Sequence, residues 1–207
     1  MSNQIQTIIF DFGNVIARFD VQVFLTSLSH FTHLTLEELK LALRGSSDVI
    51  ASYETGMISS EEFFSRISRN CALTITREQF IDAYINIFTP VRTTIDLIPK
   101  LKSTYKLGLL SNTSEWHFQH NIQPTPVFHL FDAVTLSFRV KARKPSEAIY
   151  RDMLSQLHTD PQHCVYIDDI AEFTDAAERL GMIGIHYTSH EQLLESLKDI
   201  GVRVPEE

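Results

Sequence analysis

The stretch IIFDFGNVI, residues 8–16, runs three apolar residues into a single carboxylate, Asp11, and follows it with Phe12, Gly13 and Asn14 before turning apolar again. A short apolar run of this kind reads as a strand, here TIIF at 7–10. The strand ends on one acid, followed by the two residue types that best tolerate unusual backbone angles. By itself such an Asp is ordinarily a turn or a helix cap. Its weight depends on what the other strands end on.

Four more runs match the first: LGLL (107–110), AVTL (133–136), CVYI (164–167) and IGIHY (183–187). They are short and almost wholly apolar, the pattern of strands covered on both faces. Helical patterns separate the later ones, SEAIYRDMLSQL at 146–157 and TDAAERLG at 174–181. This alternation predicts an α/β fold with a parallel, Rossmann-like sheet core. The stretch 18–90 differs. It offers no strand, and TLEE at Thr35, SSEE at Ser59 and TREQ at Thr76 fit the capping box that opens a helix. Phe63, Phe64 and Ile67, then Phe80, Tyr84 and Phe88, recur at helical spacing and read as core. A helical insert at 18–90 therefore interrupts a core of 1–17 and 91–207, with Pro90 and Pro99 marking the return. The tail GVRVPEE (201–207) reads as a frayed end.

The totals narrow the function. The 207 residues hold 43% hydrophobic residues, enough for a sizeable core. With 18 Lys plus Arg against 26 Asp plus Glu, the net charge of −8 disfavours nucleic acid as a partner. No apolar run is long enough to span a membrane, and the polar start lacks the pattern of a signal peptide. Cys71 and Cys164 lie far apart without metal-ligand spacing and read as buried thiols in a reducing compartment. The expectation is a cytoplasmic protein, and no feature of the sequence sets an oligomeric state.

The chemistry gathers at strand ends. Strand one ends on Asp11, strand two on SNTS (111–114) and strand four on Asp168 and Asp169, while strand three leads into SFRVKARKP (137–145) with Arg139, Lys141, Arg143 and Lys144. In a doubly wound sheet these carboxyl ends share the edge where ligands bind. Carboxylates, a hydroxyl, an amide and a lysine together suit a phosphate and Mg2+, which takes few carboxylates and completes its shell with water and phosphate. Lys144 and the Ser111 hydroxyl are placed to hold phosphate oxygens, leaving a carboxylate to attack phosphorus. Taken one at a time, SNTS is a capped loop and Asp168–Asp169 a solvated turn. Lys141 and Arg143 read as solvent-facing, and His117 and His120 as surface residues.

With these residues set out, IIFDFGNVI, LLSNTS, SFRVKARKPSEAIY and VYIDDIAEFTDAAERLGM resemble motifs one to four of the haloacid dehalogenase-like superfamily. The insert, with YETGMISSEEFF, resembles the helical cap of the branch that holds α-glucose-1-phosphatases. The resemblance runs nearly the whole chain. It implies a phosphatase of a small phosphorylated metabolite with a mobile cap that excludes water. It implies Asp11 as nucleophile and metal ligand, and the Gly13 carbonyl as a second ligand. Ser111, with Asn112 beside it, would bind the phosphoryl group, and Lys144 would bridge Asp11 and the phosphate. Asp169 would hold the metal, with Asp168 ligating directly or through water. The chain departs from the pattern at three places. Gly13 stands where phosphatases usually carry a second Asp as general acid and base, Lys141 where a Gly is frequent, and Phe173 where Asn or Asp is usual. Asp20, just after IARF, is a candidate substitute acid, although a helix N-cap is its plainer reading. Two other readings compete. One is a 2-haloacid dehalogenase, which needs no metal. The other is a weakly active or non-catalytic regulatory protein on the same fold.

Overall fold

A computed structural model describes residues 4–205. Among them a five-stranded sheet runs in the order β5-β4-β1-β6-β7. Its strands are β1 (Thr7–Phe10), β4 (Lys106–Ser111), β5 (Ala133–Leu136), β6 (Cys164–Asp168) and β7 (Ile183–His186). All four pairings are parallel. β1 sits centrally because its four residues are all buried, which suits a strand covered on both faces. β4 and β5 lie on one side of it and the later β6 and β7 on the other, so the strand order reverses across β1. The crevice beyond its carboxyl end is the switch point where ligands bind in such sheets. Register fixes what meets there. Phe10 pairs with Leu109 on one side and Ile167 on the other, and the Asp11 N–H continues the ladder to the Ile167 carbonyl at 2.9 Å. The five predicted strands are therefore all present.

The long stretch between β1 and β4 carries helices α1 (Val21–Ser29), α2 (Leu36–Arg44), α3 (Ser47–Glu54), α4 (Ser60–Asn70) and α5 (Arg77–Ile85). Thr35 with Glu38 and Thr76 with Gln79 close full capping boxes, whereas Ser59 caps α4 through its side chain only. These helices bury an apolar cluster of their own around Tyr53, Phe63, Phe80 and Tyr84, and the expected Phe stripe is indeed core. Trp116, which follows β4, is buried in the same cluster.

Three expectations need correction. The insert does contain strands, for β2 (Ala17–Phe19) and β3 (Phe88–Pro90) pair antiparallel at its two ends. Each has only three residues, too short to show an alternation. Helix α10 spans Ala171–Glu178, earlier than the 174–181 pattern. The Asp168 carboxylate accepts the Ile170 N–H at 2.9 Å and turns the chain into helix sooner. The tail is not frayed at its start. Val202 is buried in the main core and the Arg203 N–H donates to the Tyr105 hydroxyl at 2.8 Å; Glu206 and Glu207 lie outside the described residues. No helix among the described residues is long and apolar enough to cross a membrane.

Candidate active site

Asp11, Ser111 and Asp168 end three adjacent strands and are buried at one edge of the sheet. Lys144, also buried, arrives from the loop after α8 (Ser137–Val140). Its Nζ lies 2.8 Å from Asp11 Oδ1 and 2.7 Å from Asp168 Oδ2. Asn112 fixes this loop from both sides. Its Oδ1 accepts the Lys144 N–H at 2.8 Å, and its Nδ2 donates to the Lys144 carbonyl at 3.1 Å. Asn112 is thus a brace for Lys144 as well as a neighbour of Ser111.

One ammonium serves two buried carboxylates, and the electrostatics follow. Burial pulls the Lys144 ammonium down, but Asp11 and Asp168 more than reverse this and hold it above its ordinary value. Burial pushes the Asp11 carboxyl up, Lys144 pulls it back and Asp168 adds to the rise, leaving it at about 7. The lysine proton is well held while the Asp11 carboxylate is only partly compensated.

Oxygens of Asp11, Asp168 and Asp169 lie within 4.8 Å of one another. Three carboxylates against one ammonium leave excess negative charge in a partly dry site. Hard oxygen donors in that number fit a hard divalent cation. Asp168 has both oxygens engaged, Oδ2 by Lys144 and the Tyr166 hydroxyl and Oδ1 by the Ile170 N–H. Asp169 is half-buried and receives one side-chain bond, from Asn14 Nδ2 to Oδ2 at 2.8 Å.

Gly13 and Asn14 divide their work differently from expectation. The left-handed angle belongs to Asn14, φ 53°. At Gly13 a Cβ would stand 3.3 Å from the Phe19 ring, a tight contact that a small shift of this exposed ring relieves. An aromatic ring thus lies against the place of the usual second acid. Asp20 Oδ1 accepts the Gln22 N–H at 2.8 Å and caps α1, as its plainer reading had it.

Lys141 is exposed as expected, whereas Arg143 is half-buried, and both reach the insert. Lys141 Nζ donates to the Gly56 carbonyl in the insert, and the Arg143 guanidinium lies 2.9 Å from Glu54. The Ser137 hydroxyl donates to the Glu54 carbonyl at 2.6 Å, and Arg139 packs over the Phe118 ring. Lys141 adopts φ 59°, so it keeps the backbone shape that a Gly often supplies there. At Gly56 a Cβ would stand 2.3 Å from the Phe138 carbonyl oxygen, so only Gly permits this approach. Phe173 lies with its ring 5.1 Å from Lys144 Nζ and shields the ammonium where a polar residue was the usual choice.

Among the residues that sequence reasoning missed, Tyr166 had a readable signal. It stands two before Asp168 on β6 and therefore shares its face. Asn14 as partner of Asp169, and Glu54 and Ser137 across the seam, had none. His120 is exposed as expected, but His117 is not a plain surface residue. It is half-buried, stacks on Tyr84 at 4.0 Å and approaches the Tyr84 carbonyl through Nε2 at 3.1 Å. Burial lowers its pKa to about 4, against which the Tyr84 carbonyl works. The folded protein therefore binds fewer protons than the unfolded chain between about pH 4 and 6.5. Stability from this group is complete above 6.5 and is lost as pH falls toward 4, by up to about 3 kcal/mol. His117→Gln is expected to flatten that part of the stability curve in denaturant titrations at pH 7.5 and 5; an unchanged slope refutes the assignment.

Beside Gly13, Ser111 and Asn112 opens a cavity of about 210 Å³, walled on its far side by the insert.

A family model for haloacid dehalogenase-like hydrolases matches residues 8–185 of the chain. The D-ribitol-5-phosphate phosphatase of Bacteroides thetaiotaomicron is 26% identical over 188 residues, covering 86% of this chain and 89% of that protein. A haloacid dehalogenase-family enzyme of the same organism, solved with magnesium and inorganic phosphate, superposes with TM-score 0.76 at 21% identity, over 89% of this chain and 94% of that one. A predicted hydrolase of the same family from Porphyromonas gingivalis superposes with TM-score 0.81 at 24% identity, over 95% and 98%.

Proposed function

The chain belongs to the haloacid dehalogenase-like hydrolase family, and from that premise we propose that it is a magnesium-dependent phosphatase of a small phosphorylated metabolite, acting through an aspartyl-phosphate. The observation that carries the reading is the shared Lys144 clamp on Asp11 and Asp168 with Asp169 beside it. The D-ribitol-5-phosphate phosphatase and the neighbour solved with magnesium and phosphate support it. A metal-free dehalogenase has no use for three clustered carboxylates, and a non-catalytic protein has none for a buried, braced lysine.

Asp11, Asp169, the Gly13 carbonyl and Asp168, directly or through water, would hold Mg2+. When bound, the ion neutralises the carboxylates and draws charge from the phosphoryl oxygens. An Asp11 oxygen attacks phosphorus, and the bond from phosphorus to the ester oxygen breaks. Lys144 and the Ser111 hydroxyl hold the phosphoryl oxygens as charge shifts onto them. The departing oxygen takes its proton from water, since position 13 carries no acid. Water then attacks the same phosphorus, the bond to Asp11 breaks, and phosphate leaves. Residues 18–90 act as the cap over this reaction, and residues 1–17 and 91–207 as the catalytic core.

The resemblance to α-glucose-1-phosphatases and the ribitol-phosphate relative make sugar phosphates the reference esters against which others are compared. The decisive experiment is phosphate release from p-nitrophenyl phosphate and a panel of sugar phosphates, with magnesium and with excess chelator. Release should fall at least about a hundredfold on chelation. Full release in chelator defeats the proposal.

A further inference from the structure

The cavity beside Gly13, Ser111 and Asn112 adjoins the residues that would hold the phosphoryl group and offers room for the alcohol portion of a phosphate ester, and its walls are apolar. Phe12 forms its core side, and Phe19, Phe24, Ile50 and Ile67 its insert side. Most of the polar groups in those walls, the Thr113 hydroxyl apart, are committed elsewhere. The Tyr84 hydroxyl pairs with Ser114 at 3.2 Å, His117 faces the Tyr84 carbonyl, and the Thr113 N–H donates to Ser137 at 2.8 Å. Both side-chain ends of Asn112 are taken by Lys144. Glu54 Oε2 is the one atom in this lining that is buried without a hydrogen bond, among the described residues, and Arg143 already neutralises it. The rim is apolar too. Phe19 and Val21 both line the cavity, yet they are 43% and 50% exposed. Large apolar side chains left open at the mouth of a pocket are completed by an apolar ligand.

Resting on the phosphatase reading, we propose that the preferred substrates are phosphomonoesters whose alcohol has an apolar alkyl or aryl body, and that sugar and polyol phosphates are poor ones. At about 30 Å³ per small group, 210 Å³ takes roughly seven non-hydrogen atoms. A polyol entering this space gives up its bonds to water and finds few partners in return. An alkyl chain gives up nothing and removes apolar wall from water.

The test is kcat/KM with magnesium for n-alkyl phosphates from ethyl to heptyl, with ribitol 5-phosphate beside pentyl phosphate. All are primary esters, so the leaving oxygen hardly changes along the alkyl series, and the hydroxyls of ribitol make it if anything the better leaving group. The rate should climb about fourfold per methylene through pentyl and level off near heptyl as the cavity fills. Pentyl phosphate should exceed ribitol 5-phosphate by at least about tenfold. Val21→Asn, at a half-exposed position where folding is not at risk, should reduce the pentyl-to-ethyl ratio severalfold. A flat alkyl series, or ribitol 5-phosphate ahead of pentyl phosphate, overturns the proposal and leaves the phosphatase standing. No release from any ester, p-nitrophenyl phosphate included, overturns both.

Discussion

Asp11→Asn is expected to lower phosphate release by at least about 10⁴-fold while leaving the fold intact. The amide keeps the size and shape of the carboxylate but is not a nucleophile. Lys144 still has Asp168 at 2.7 Å, so the loop that carries it stays in place. Stability separates this loss from unfolding. Burial and Asp168 hold the Asp11 carboxyl at about 7, so above that pH the fold carries an ionised group it disfavours. A neutral amide removes the cost, and without magnesium the variant should melt no lower than wild type at pH 8. The same substitution should abolish phosphoenzyme trapping in a rapid acid quench. A variant that keeps a tenth of wild-type turnover shows that another group attacks phosphorus.

Much of this site was legible because it sits at strand ends. A run such as TIIF followed by Asp11, or CVYI followed by Asp168, states both the strand and the residue that leaves it. Parallel register then brings the ends together without further information. The part that was hidden depends on contacts between distant segments. Arg143 looked solvent-facing because nothing local shows that Glu54 docks on it. His117 looked like a surface residue because its burial is supplied by Tyr84, from the other side of the seam. The Phe19 ring that lies against Gly13 comes from a strand too short to read. Sequence pattern reports periodicity within an element, whereas these are pairings between elements that share none.

Lys144→Met tests the other half of the clamp, and its expected effects are large in both activity and stability. Methionine has nearly the length of lysine and keeps an apolar body beside Phe173 and Tyr166, whose rings lie 5.1 and 5.8 Å from Nζ. The change therefore removes the charge with little loss of packing. Turnover should fall at least about 10²- to 10³-fold, the usual cost of losing a donor aimed at charge that builds in the transition state. Asp11 and Asp168 are then left facing each other in a buried site without a counter-ion. Breaking one partner out of such an arrangement costs about 3–5 kcal/mol, or a melting temperature lower by roughly 6–20 °C for a chain of this size. The pH dependence identifies the cause. Without the ammonium, the Asp11 carboxyl rises further above its unfolded value of 3.8. The folded variant then binds more protons than the unfolded chain across the window from about 4 to beyond 7, and stability is lost as pH rises through it. The deficit relative to wild type should therefore be greatest at pH 8 and shrink toward pH 5. Magnesium, which supplies the missing positive charge, should raise the melting temperature of the variant more than that of wild type. A deficit that grows on acidification, or one that magnesium does not touch, would mean that Lys144 is held by packing and that the two carboxylates do not depend on it.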